Sequence, residues 1–137
     1  MTEFFDLTAA TPPAIPSPHD CVISNIEINE DFLTFYFEDE IFRRDSVKFL
    51  HPNAKSLVIR IHLSDPLFFT YKHKFNRLNG KDKYVAIKSS ELKVLSKHGF
   101  EYLYNYVGCG SLIIKLWQNG CILLDITADY IEFAWIE

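Results

Sequence analysis

A chain of 137 residues with 48% hydrophobic and 15% aromatic content has enough apolar material for one packed domain, which excludes wholesale disorder. A net charge of −4 and a pI of about 5.7 exclude a global pull toward nucleic acid or anionic membranes. The charge is unevenly distributed, with ten acids and two bases in residues 1–45 against eleven bases and three acids in residues 46–97.

Residues 1–18 read as a proline-rich N-terminal arm, because Pro12, Pro13, Pro16 and Pro18 each remove an amide donor and fix φ. Phe4, Phe5 and Leu7 are the residues that would tuck such an arm against the body. Its acidic start lacks the basic region and long apolar run of a secretory signal, and no stretch approaches the ~18 apolar residues of a membrane helix. Residues 19–137 read as a single globular domain. Three cysteines (Cys21, Cys109 and Cys121) with no pairing pattern point to a reducing, cytoplasmic setting.

Val22, Ser24, Ile26 and Ile28 alternate with polar neighbours, as do Leu33, Phe35 and Phe37, and a short loop separates the two runs. Pairing Ile28 with Leu33 and Ile26 with Phe35 keeps both apolar sets on one face, so a hairpin is expected. Leu57, Ile59, Ile61 and Leu63 form the next strand, and Ser64-Asp65-Pro66 turns the chain into another over residues 68–75, expected to pair with it. Asn79-Gly80 marks a further turn, followed by a short apolar run at Tyr84–Ile87.

Ser89-Ser90-Glu91 has the residues of a helix start, and Leu92, Leu95, Gly99, Leu103, Tyr106 and Val107 recur at helical spacing. One main helix over about 90–107 is therefore expected, ended by Gly108-Cys109-Gly110. Leu112–Trp117, Asn119-Gly120 and Cys121–Thr127 read as strand, two-residue turn and strand, and a turn at Ala128-Asp129 would bring Tyr130–Ile136 back as a third. In that register Ile113, Lys115 and Trp117 face Ile126, Leu124 and Ile122. The predicted class is α+β, a largely antiparallel sheet of about seven or eight strands, with hairpins and a C-terminal three-strand meander and the helix packed on it.

Few residues assemble into chemistry. His19-Asp20-Cys21 holds triad residue types, but consecutive side chains on an extended chain diverge, so the triplet reads as the entry to the first strand. His51, His62 and His73 recur at intervals of eleven without converging on one face, and no metal or other cofactor is expected. Glu38-Asp39-Glu40 reads as a solvated turn, although an acidic run also suits a basic partner. Lys72, Lys74 and Arg77, with Lys81 and Lys83, are interleaved with aromatics. This 68–84 segment is the best nucleic-acid candidate, yet alternation sets the lysines opposite Tyr71, His73 and Phe75, and inward-facing aromatics make nucleic acid an unfavoured partner.

With no catalytic constellation, the expected function is a non-enzymatic protein-interaction module, either of the immunity type or self-associating as a dimer. Leu112, Ile114 and Leu116 lie opposite Ile113 and Trp117, so both faces of that strand need cover, one from the helix and one from another subunit. The alternative is a small-molecule binder or enzyme whose aromatic pocket between sheet and helix uses Tyr102, Tyr104 and Trp135. The candidate interaction residues are therefore Glu38, Asp39, Glu40, Lys72, Lys74, Arg77, Tyr102, Tyr104 and Trp135.

Overall fold

The computed structural model describes the backbone of residues 1–137 and every side chain except those of Phe75 and Asn76, so the expected orientation of Phe75 lies outside the described residues. Its strands are β1 (Thr2–Asp6), β2 (Val22–Ile28), β3 (Phe32–Phe37), β4 (Ser56–Leu63), β5 (Phe69–Asn76), β6 (Lys81–Ile87), β7 (Phe100–Gly108), β8 (Ser111–Trp117) and β9 (Cys121–Ile136). Two short helices, α1 (Asp45–Lys48) and α2 (Ser89–Ser96), and a 3-10 turn at Ile41–Arg43 complete the chain. Every strand pairing is antiparallel, which gives the expected α+β class with a dominant antiparallel sheet.

The long strand β9 organises the molecule. One of its edges carries β8 along Cys121–Thr127 and then β1 along Tyr130–Ala134. The other carries β5 along Ile122–Asp125 and then β4 along Ala128–Ile136. From β8 the sheet continues through β7, β2 and β3 to β4, and β4 returns to β9. Six strands thus close a ring, which leaves few open edges. Alternation fills its inside: Leu57, Ile59 and Ile61 of β4, Leu112, Ile114 and Leu116 of β8, and Ile122, Leu124, Ile126, Ile131 and Phe133 of β9 are all buried. Each such side chain contributes about 1.5–3 kcal/mol relative to exposure.

The β2–β3 hairpin has the expected register, Ile28 opposite Leu33 and Ile26 opposite Phe35. Elsewhere the structure corrects the sequence reading. The helix ends at Ser96, and residues 100–108 are strand β7. Gly99 at φ +84° stops the helix, while Phe100, Tyr102, Tyr104 and Tyr106 alternate as β-forming aromatics. Gly108-Cys109-Gly110 is accordingly the turn between β7 and β8 rather than a helix end. The serines at the start of α2 make no side-chain cap.

The β8–β9 register is displaced by one residue, with Ile113 opposite Asp125 and Trp117 opposite Cys121, because the loop is Gln118-Asn119-Gly120 rather than two residues. A one-residue slip exchanges faces, which sends Leu112, Ile114 and Leu116 inward. Ala128-Asp129 is a bulge inside β9 and not a turn: Leu63 pairs with Ala128 and His62 with Tyr130, leaving Asp129 as the extra residue. The chain therefore runs straight on, and the expected C-terminal meander is replaced by β1 and β4 flanking the second half of β9. β4 and β5 do not pair with each other; they lie end to end along β9.

The first residues are strand rather than irregular arm. β1 zips onto β9, and Leu7 is buried in the core. The Leu7 N–H donates to Asp129 O, and its carbonyl accepts from Gly110 N–H, so this residue bridges the β9 bulge and the β7–β8 turn. At the other end of β1, Glu3 Oε1 accepts the Trp135 indole N–H at 2.5 Å and lies 3.0 Å from His51 Nε2, with the His51 ring stacked on Trp135. Glu3→Ala would leave that indole N–H without its acceptor. It is expected to lower stability by about 1–3 kcal/mol in urea unfolding, whereas an unchanged midpoint would remove this cluster from the account.

β2 and β7 pair only through Val22 and Ile23, against Glu101 and Phe100. Beyond that point α2 covers the seam: Leu92 is buried, and the Ser96 hydroxyl accepts the Ile26 amide N–H. The Gln118 side-chain amide donates to Leu95 O and Gly99 O and ties the β8–β9 loop to the end of the helix. α2 therefore lies against β2, leaving the outer face of β8 and β9 without a helix.

Candidate interaction surface

The one-residue register difference decides which side chains face out of the ring. Across β7, β8, β9 and β5 the outer rows are Tyr106, Ile113, Asp125 and Phe69, then Tyr104, Lys115, Leu123 and Tyr71, then Glu101, Trp117 and Cys121. Phe69, Tyr104, Tyr106, Ile113 and Trp117 are each between 41% and 58% exposed. Single exposed apolar residues are ordinary, but a contiguous block over four neighbouring strands is the mark of a contact face. Its charged members are Lys115, Asp125 and Glu101, and Lys115 and Asp125 form no ion pair within the chain among the described residues.

The expected site residues divide over the molecule. Tyr104 belongs to this outer face. Tyr102 is fully buried and Trp135 is buried, and among the described residues no cleft is lined by the three together. Asn105 Nδ2 donates to the Tyr102 hydroxyl at 2.7 Å, and burial raises that phenol far above its ordinary pKa. A separate open cleft of about 760 Å³ does lie between the end of α2 and the sheet. Its lining is largely polar and of mixed charge, with Lys72, Lys97 and His98 against Glu38 and Glu101. Asp39 and Glu40 lie farther along the loop that leaves β3, exposed like Glu38, and Glu40 has Arg43 at 3.4 Å.

Lys72, Lys74 and Arg77 belong to the β5–β6 hairpin. Only Phe69–Lys72 of β5 pair with β9, so the remainder projects from the ring as a two-stranded ribbon. Residues 81–84 of β6 are exposed without alternation, so Tyr84 is not packed inward as expected, nor is Phe69, while Tyr71 and His73 are half-buried.

The triplet at the start of the domain is a turn rather than extended chain, with Asp20 at φ +66° and its carboxylate 3.3 Å from His19 Nε2, so only Cys21 diverges from its neighbours. Cys21 is buried and burial raises its thiol pKa, which disfavours the nucleophilic thiolate. His19 instead lies on the surface, stacked on Tyr104, with Nδ1 2.9 Å from Leu103 O. The three regularly spaced histidines each meet a different carboxylate: His51 meets Glu3, His62 meets Asp129 and His73 meets Asp82. Among the described residues no helix is long and apolar enough to cross a membrane.

These features define an antiparallel α+β ring with one large aromatic outer face and one protruding ribbon. Comparison with known proteins found no matching family model, no matching curated protein and no matching solved structure.

The apolar residues on each side of β8 and the basic run near residue 74 are legible in the sequence. The grouping of Phe69, Tyr106, Ile113 and Trp117 is not, because a neighbour three strands away leaves no local trace.

Proposed function

We propose that this protein is a non-enzymatic interaction module that pairs with a second copy of itself through the outer face of β7, β8, β9 and β5. The observation that carries this reading is the contiguous exposure of Phe69, Tyr104, Tyr106, Ile113 and Trp117 on adjacent strands. Covering them removes apolar surface from water, and two antiparallel sheet faces pack well against each other at a small angle. The charges support a like partner over an unlike one. The face carries both signs of charge, Lys115 beside Asp125 and Glu101, so it can complement a second copy of itself.

The double substitution Ile113→Glu with Trp117→Glu puts unpaired carboxylates at the centre of the contact. Sedimentation velocity is expected to show a monomer for the variant at concentrations where the unaltered protein dimerises. Both positions are surface sites, so urea midpoints should move by no more than about 0.5 kcal/mol per substitution in the monomer. A variant that still dimerises contradicts the assignment of this face.

A further inference from the structure

We infer that the β5–β6 ribbon is a docking arm for duplex DNA, which its lysine face would contact through the phosphates. The register places Lys74 directly opposite Lys83, with Lys72 opposite Val85 and Lys81 opposite Asn76. Opposed residues share a face and alternate residues repeat it, so Lys72, Lys74, Lys81 and Lys83 lie together on one side of the ribbon. Like charges placed opposite each other weaken a hairpin, and none of these four lysines forms an ion pair among the described residues, although Lys72 shares the cleft of Glu38 and Glu101. The ribbon's one acid, Asp82, points to the other face, where it holds His73 Nε2 at 3.0 Å. Arg77 stands exposed in the turn at the tip.

Three further observations favour a polyphosphate over a protein. Among the described residues the lysine face carries no exposed aromatic, and lysine is depleted from the buried centres of protein interfaces while it is a common phosphate contact. A free two-stranded ribbon has the dimensions that the major groove of B-form DNA admits. The body also directs the approach. The chain is net −4 while residues 72–83 carry five bases and one acid, so the ribbon is a basic segment on an acidic chain and the long-range field favours approach of phosphates through it.

The test is fluorescence anisotropy of the full-length protein with a labelled duplex of about 20 base pairs, at 50 and 200 mM salt. Four phosphate contacts predict saturable binding that weakens about 100-fold between those two concentrations. Lys74→Glu with Lys83→Glu should reduce affinity at least ten-fold at 50 mM salt with circular dichroism unchanged. The Ile113→Glu, Trp117→Glu variant tests the separate dimer face and should retain the DNA affinity of its monomer. Absence of saturable binding at 50 mM salt overturns the inference, as does binding that the double lysine variant retains. Displacement of the duplex by polyglutamate at equal charge concentration would assign the ribbon to an acidic protein and equally overturn it.

Discussion

Shortening Leu7 to alanine is expected to destabilise the fold by about 2–5 kcal/mol, as large a loss as any single core truncation should cause. The residue lies in a segment that looks dispensable, beside a proline-rich stretch and close to the N-terminus. In the fold its side chain is fully buried, and its backbone joins the β9 bulge to the β7–β8 turn through Asp129 and Gly110. Alanine keeps both backbone bonds but leaves a cavity where β1 gives way to β8 along the edge of β9. Urea unfolding at neutral pH checks this. A change below about 0.5 kcal/mol would mean that the first residues are an accessory arm after all.

The second large effect is alkaline loss of stability through Tyr102. Burial is the first cause of its raised phenol pKa, and the Asn105 hydrogen bond opposes it only in part. The unfolded phenol titrates near its ordinary value of 10.0, while the folded one keeps its proton to higher pH. Above pH 10 the folded state therefore binds more protons than the unfolded state, and stability falls as pH rises. The contribution is whole below that pH and is lost by about 1.4 kcal/mol per unit above it, until the folded group itself titrates. Tyr36, raised by its hydrogen bond to Glu27, acts in the same direction from the surface. Tyr102→Phe removes the buried phenol but leaves Asn105 its second acceptor, Pro16 O. Its cost near pH 7 should be about 1 kcal/mol, and its unfolding midpoint should decline less steeply than that of the unaltered protein between pH 10 and 11.5. Parallel declines would place the alkaline sensitivity elsewhere.

What the sequence revealed follows from how local each instruction is. The β2–β3 hairpin was legible to the residue because two alternating runs flank a short loop, and only one pairing keeps both apolar sets together. In the β8–β9 hairpin the strands were legible but the register was not, since Asn119-Gly120 signals a two-residue turn and Gln118 joins the loop instead. The aromatic run after Gly99 satisfies helical and strand spacing at once, and pairing with β8 decides it. Closure of β4 on β9 joins segments about 75 residues apart, and nothing local encodes such a pairing.

The candidate site shows the same division. Lys72, Lys74 and Arg77 are neighbours in sequence and stay neighbours on the ribbon, while Tyr102, Tyr104 and Trp135 scatter because burial and a bulge in β7 send them to different environments. The outer face draws Phe69, Tyr104, Ile113 and Leu123 from four strands, so only the closed sheet assembles it.

The reading that two copies meet through this face is tested most directly by multi-angle light scattering on the purified, unaltered protein across a concentration series. A mass near twice the 16.0 kDa of one chain is expected at micromolar concentrations, falling toward one chain on dilution. A mass of one chain at every concentration, up to several hundred micromolar, would contradict it.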